Sequence, residues 1–536
     1  MSRFRALASL VILCLVVAVV AASPAVSQTP KSGGVLTVMQ REDLPQGFAI
    51  HETSTISSVW PSMPCFNNLV IFDPLKKTES LDTVIGELAE KWSWQDNYRN
   101  LVFFLRKGVK WHDGQPFTSK DVKYTFDMVR EAPDAAGKLR INPRKDWYAN
   151  VEAIEAAEPH TVVFRLKKPQ PSLLLMLASG YSPVYAAHVP AASYRTACVG
   201  TGPFKVKEWR KGEFVEFVKN GDYFIKGRPY LDGLRYIPIP ERGTKFAALQ
   251  AGRLDVAFPG DATKTIAEQV VKAEPRIKMT VTGQNVNDNL LLNVTKPPFN
   301  NIKVRQAFSM AIDRRGVVQS VHQGGAAVGA SLAPKPFGVW GLMDKDLAAL
   351  PGYGKAADEK ARAKKLLAEA GFSASNPLRV ELATRAIPQY LDFASFVINE
   401  LKQVGVEASL KQVETAQWHP LATRKEFQAG PNLTGIGVDD PDANYFENFA
   451  CNSPRNYGGY CNEQIMKMIE AQSQEVDPKK RFAMVVEIQK KLEEDAGRPT
   501  IAWRHDYYLQ WQHVKNLVPH QSIYNWGRMQ EVWMDK

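Results

Sequence analysis

Strand-like runs and amphipathic helical stretches alternate along nearly the whole chain. That alternation limits it to folds in which helices cover sheets, and the expected class is α/β. Thr118-Ser119-Lys120-Asp121 has the form of a capping box, and behind it Val122, Thr125, Phe126 and Val129 make one apolar helical face. A second helix is predicted on Val304, Ala307, Phe308, Ala311 and Ile312, entered through Asn300 or Asn301. A third carries Ala363, Leu366, Leu367 and Ala370 and stops at Gly371. Strand-like runs are read at 34–39, 101–105, 161–166, 204–209, 214–218 and 290–293. With 536 residues, 45% of them hydrophobic, the chain has material for several domains with large cores.

The N-terminus predicts export. Arg3 and Arg5 precede an uncharged apolar run from Ala6 to Ala22, and Ser23-Pro24-Ala25-Val26-Ser27 offers small residues for cleavage. This is the pattern of a secretory signal peptide over 1–27, cut after Ser27, and it implies a periplasmic location. Net charge is +11, or +9 without Arg3 and Arg5, and no dense basic run concentrates it. A nucleic-acid partner is therefore not expected.

Export permits disulfides. Cys451 and Cys461 bracket the turn-rich stretch Asn452-Ser453-Pro454-Arg455-Asn456-Tyr457-Gly458-Gly459-Tyr460 and are expected to pair. Whether Cys65 pairs with Cys198 stays open. There is no CxxC, and no histidine stands at ligand spacing from these cysteines, so no metal is predicted.

Catalytic signatures are missing. The chain has no GxSxG, HExxH, GxxxxGK[ST] or GxGxxG. Asp439, Asp440 and Asp442 cluster without the EF-hand spacing, which favours a capped turn over calcium. The expected chemistry is recognition, with no enzyme activity and no cofactor; the alternative class is an exported hydrolase with a cleft.

Several blocks then suggest a family. Leu88-Ala89-Glu90-Lys91-Trp92 leads into a run from Gly108-Val109-Lys110-Trp111-His112-Asp113-Gly114-Gln115-Pro116-Phe117 to Val122. Gly200-Thr201-Gly202-Pro203-Phe204, Asn220-Gly221-Asp222-Tyr223 and Gly227-Arg228-Pro229-Tyr230 come next in order. Ala247 to Asp255, Val304 to Arg314 and Ala361 to Phe372 complete the match. Together they resemble the family 5 extracellular solute-binding proteins of bacterial ABC importers, the peptide- and nickel-binding type.

The resemblance implies a type II periplasmic binding protein fold, two α/β lobes with an extra inserted domain and a ligand cleft between the lobes. Lobe I would comprise 28–78, 197–282 and 505–536, the insert 79–196 and lobe II 283–504. It also implies a monomer that captures a peptide or organic solute and delivers it to an ABC permease and its ATPase. The quoted motifs serve mainly as scaffold, so pocket residues are sought on cleft loops. The candidates are Trp60, Tyr181, Ser182, Arg385, Tyr390, Trp418, Asp439 and Asp440, with Arg385 as a carboxylate clamp. Peptide-binding members place an aspartate before an x-[DE]-P turn, where it meets the peptide amine. Here that position holds Gly437 in a loop about two residues shorter, and Asp439 would substitute only after a loop shift. The departure leans the expectation toward a solute with an anionic or aromatic part.

Overall fold

The computed structural model describes residues 29–536; the signal-peptide segment lies outside the described residues. One lobe is built on a four-stranded sheet. Val35–Gln40 runs parallel to Gly233–Pro238, which pairs antiparallel with Phe214–Lys219 and through it with Phe204–Arg210. The other lobe has a six-stranded sheet in the order Ala326–Ala327, Thr500–Trp511, Ile277–Leu292, Ala429–Gly435, Leu378–Arg385, Val406–Val413. A third sheet of four antiparallel strands, Ala89–Gln95, Asn100–Leu105, Thr161–Leu166 and Val151–Glu158, stands beside the first.

The alternating pattern explains these strands. In Thr161–Leu166, Val162, Phe164 and Leu166 are buried while Arg165 faces solvent. Helix Ser119–Val129 packs on the same sheet, with the Thr118–Asp121 capping box formed and Val122, Phe126 and Val129 buried. Each such side chain contributes about 1.5–3 kcal/mol when fully buried. The other two predicted helices are Ile302–Ala311, capped by Asn301, and Ala356–Glu369, after which Gly371 takes φ +92°.

Two long strands join the lobes. Ile277–Leu292 and Thr500–Trp511 pair antiparallel from Ile277 opposite Trp511 to Asn289 opposite Thr500. Register slips between Gly283 and Asn287, where Asn285 has φ +51°. The reading of 290–293 as a strand caught only the end of the first. Residues 284–289 are mostly polar and buried (Gln284, Asn285, Asn287, Asp288 and Asn289), so that middle part lacks the apolar alternation that marks a strand, which the first part, Ile277 to Thr282, does show.

Both cysteine pairs are disulfides, Cys65 with Cys198 and Cys451 with Cys461. Gly200 and Gly202 lie against the Cys65 backbone so closely that a Cβ at Gly200 would overlap the Cys65 carbonyl oxygen. The glycines there serve close backbone approach. Among the described residues no helix is long and apolar enough to cross a membrane.

Candidate functional site

The lobes meet over a small chamber of about 30 Å³. The connecting strands supply Gln284, Val286 and Arg504 to its wall. The first lobe supplies Arg41, just past strand Val35–Gln40, and Thr55, which N-caps helix Ile56–Ser62. The second lobe supplies Arg385 from the end of its strand, Tyr390 from helix Pro388–Gln403, His419 from helix Thr415–Thr423, and Arg455 and Tyr457 from the disulfide-bracketed loop. The chamber adjoins a wider vestibule of about 190 Å³, sharing Ser54, His419, Arg455 and Tyr457 with it. Pro45, Pro143, Pro420 and Pro454 give the vestibule an apolar wall.

Four arginines and no carboxylate line the chamber. The carboxylates stand behind the arginines. Arg41 Nε is 2.5 Å from Asp261 Oδ1, and Asp261 also binds Lys245. Arg385 Nη2 is 3.0 Å from Glu42 Oε1 and donates to Thr415 Oγ1 at 2.8 Å, while its Nη1 donates to the Tyr390 hydroxyl at 2.9 Å. Arg455 Nε donates to Glu447 Oε1 at 2.9 Å, and Arg144 Nη1 lies 3.5 Å from the same oxygen. Arg504 differs. Its Nε is 3.8 Å from Asp288 Oδ1, it has no hydrogen-bonded side-chain partner among the described residues, and its side chain is 9% exposed.

These charges shape the neighbouring pKa values. Burial lowers the Arg504 guanidinium below its ordinary value; Asp288 opposes this, while Arg41 and Arg242 add to it. Arg498, which donates to Asn448 and Thr434 but meets no carboxylate, is pulled down to about 9 by burial and by Arg455. Burial, with Arg385, Arg455 and Arg144, holds His419 well below the ordinary imidazole value and therefore neutral. One His419 nitrogen, Nδ1, is 3.0 Å from the Tyr457 hydroxyl, and Nε2 is buried without a partner.

Of the eight candidates read from the sequence, Arg385 and Tyr390 line the chamber. Tyr181 stands one layer behind, stacked on the lining residue Tyr524 at 4.9 Å and beneath Arg144. The other five lie elsewhere. Trp60 is buried among Tyr236, Phe258 and Trp526. Ser182 bonds Tyr148 and the Met176 carbonyl, and Trp418 is buried beside Phe427. Asp439 accepts from Val339 N and Gln521 Nε2. Asp440 caps helix Pro441–Asn448 and takes a bidentate bond from Arg481. Large aromatics signalled core here. Arg41, His419, Arg455, Tyr457 and Arg504 were not singled out, and only the cysteine-bracketed loop held a local hint of two of them.

At Gly437, a Cβ would lie 2.6 Å from Trp147 Cη2. Trp147 is fully buried and held by its Nε1 bond to the Ala443 carbonyl, so an acidic side chain at that position requires Trp147 to shift.

A model of the bacterial extracellular solute-binding proteins, family 5 Middle, matches residues 83–456. A Pseudomonas aeruginosa protein named probable di/tripeptide-binding protein 5 is 25% identical over 500 residues, covering 88% of this chain and 91% of its own. DppA from Helicobacter pylori, solved with the peptide STSA, superposes with a TM-score of 0.83 at 21% identity, covering 94% of this chain and 99% of that one. AgaA from A. tumefaciens R10, solved with agropinic acid, gives 0.80 at 21% identity with the same coverage. The chain belongs to the family 5 extracellular solute-binding proteins, and is a substrate-binding protein of the ABC-importer kind and not an enzyme.

Proposed function

We infer that this protein works in the periplasm as a monomer, encloses a small solute between its lobes, and presents it to the permease and ATPase of an ABC importer. The observation that carries this reading is the chamber itself, whose wall comes from both lobes and from the strands that join them. The proposed division is lobe I at 28–78, 197–282 and 505–536, an insert at 79–196, and lobe II at 283–504. In support, each part is centred on one of the three larger sheets, with the short pair Val70–Phe72 and Val84–Gly86 bridging lobe I and the insert, and Gly283 pairs with His505 at the proposed crossing. A two-stranded crossing is narrow enough to flex while each sheet stays rigid.

Solute binding should favour the closed form. The stabilisation follows mass action, about 2.7 kcal/mol at a hundredfold excess over Kd. Native mass spectrometry of protein released from the periplasm identifies the solute carried. Melting and small-angle scattering with that solute then test closure: a higher Tm and a smaller radius are expected. A tight solute that changes neither overturns the closing-cleft reading. The relatives' names make peptides the first class to try.

A further inference from the structure

Taking the closing-cleft reading as given, we propose that the chamber selects a small organic acid carrying at least two negative charges, seated against Arg504, Arg41 and Arg455, in place of the free amine end of a peptide.

The charge balance around the chamber carries the inference. Asp261 is shared by Arg41 and Lys245, and Glu447 by Arg455 and Arg144. Glu42 answers Arg385, and Asp288, itself bonded to His322, stands 3.8 Å from Arg504. Arg498 makes no ion pair among the described residues and is bonded to Asn289, Asn448 and Thr434, with only the already shared Glu447 acting on it from farther off. Cations thus outnumber these carboxylates by three in a largely buried region. Two further carboxyls lie close by: Asp506, pushed up to about 7 by burial with Asp261 adding to the effect, carries about half a negative charge at neutral pH, and Glu52 in the vestibule wall is answered by Arg195 and Arg140. Buried cations without partners are costly, and bound oxyanions offset that cost.

Geometry points the same way. The Arg504 guanidinium, nine-tenths buried, lines the chamber with its hydrogen-bonding edge unused. A planar guanidinium takes a carboxylate or phosphate by two parallel bonds. His419 Nε2 offers one more polar contact in the same wall. For an ammonium group the chamber offers the reverse of what is needed: no carboxylate lines it, and Trp147 occupies the space an acid at 437 would require. The small chamber takes only a compact anionic head, and the vestibule, lined by four prolines but also by Glu52 and Arg140, takes the rest of the solute. The clamp expected from the sequence shifts from Arg385, whose hydrogen bonds are taken, to Arg504.

Calorimetry with citrate, succinate, inorganic phosphate and the dipeptide Ala-Ala tests this on the full mature protein. At least one of the three anions should bind, more weakly at high salt, and the dipeptide should not. Citrate or succinate without phosphate assigns the site to carboxylates; phosphate alone assigns it to phosphorylated acids. Arg504→Gln should weaken the anion about ten- to a hundredfold, the span of a lost charged hydrogen bond. Arg504→Lys should recover part of the loss, and the exposed control Arg379→Gln should bind as wild type. Circular dichroism establishes that each variant is folded. Failure of all three anions overturns the inference, as does Ala-Ala binding that survives Arg504→Gln. In that second case scattering separates the readings, because closure around Ala-Ala leaves the receptor function intact while discarding the anion.

Discussion

Arg385 Nη2 and Glu42 Oε1 are 3.0 Å apart across the cleft, although 343 residues separate them in the chain. Thr415 Oγ1 donates to the other Glu42 oxygen at 2.8 Å, and Ser57 Oγ donates to Oε1 at 2.7 Å. One carboxylate from the first lobe thus gathers an arginine and a hydroxyl from the second. On the closing-cleft reading proposed above, opening would break this contact, so it would stabilise the closed form directly.

Glu42→Gln keeps the shape of that contact and removes its charge. The variant should spend more time open when unliganded, with a larger radius by small-angle scattering. Arg385→Ala should do the same. Because the Glu42 side chain is 22% exposed, the loss is discounted below that of a dry ion pair, to about 1–3 kcal/mol. An unliganded radius equal to wild type in both variants would remove the latch from the account.

Asp506 makes the charge of the chamber depend on pH. It is 1% exposed, accepts from Gly260 N at 3.0 Å, and titrates near 7, against about 4 in an unfolded chain. The folded protein therefore holds this proton more tightly. The associated stability is full below about pH 4 and is lost as pH rises to about 7, at up to about 1.4 kcal/mol per unit. Buried histidines tilt the other way: burial lowers His51 to about 3 and His112 to about 4. Total stability is thus a poor readout, and the difference between wild type and Asp506→Asn is the useful one. Denaturant melts should show Asn gaining on Asp from pH 5 to pH 8. Anion affinity should fall over pH 6 to 8 in wild type, as a negative charge appears beside Arg41 and Arg504, and fall less in the variant. A gap between the two proteins that does not change with pH would refute the assignment.

Gly437→Asp tests whether the amine site could simply be restored. With Trp147 2.6 Å from the new Cβ, the substitution overpacks a buried contact at a cost of about 1–3 kcal/mol. Thermal melting should show a lower Tm, and calorimetry should show no gain of Ala-Ala binding. Dipeptide binding at an unchanged Tm would mean that Trp147 yields and that Gly437 alone sets the selectivity.

What the sequence disclosed follows from range. The helix after Thr118 and the strand Thr161–Leu166 are legible because their periods and caps are local. The middle of the connecting strand Ile277–Leu292 is not, since it is buried yet polar: Asp288 bonds His322 and Asn289 bonds Thr434 instead of packing on apolar neighbours. The chamber is less legible still. Arg41, Arg385, Arg455 and Arg504 converge through the crossing of the lobes, and no spacing between them encodes that. Trp60 and Trp418 misled because a large aromatic in a turn-rich stretch looks like a clamp, while its surface area rewards burial in a core. Gly437 was informative because a missing side chain is visible without any knowledge of the fold.

The Cys451–Cys461 bridge is where local chemistry reaches the chamber. It closes the loop that carries Arg455 and Tyr457. Inside the loop, Asn456 Nδ2 donates to the Ala450 and Tyr460 carbonyls, and the Ser453 hydroxyl donates to the Glu447 carbonyl and accepts from Arg455 N. These bonds hold Arg455 at Glu447 and Tyr457 at His419. Replacing both cysteines by serine should cost about 2–3 kcal/mol from the unfolded-chain entropy of so short a loop. If the loop merely stabilised the lobe, ligand affinity would be unchanged at temperatures where the variant is folded. Because it positions two chamber residues, affinity should fall as well, with a faster off-rate, and amide exchange should quicken at 453–460 while the sheet strand Leu378–Arg385 stays protected. Wild-type affinity and exchange in the double variant, at a reduced Tm, would confine the bridge to stability alone.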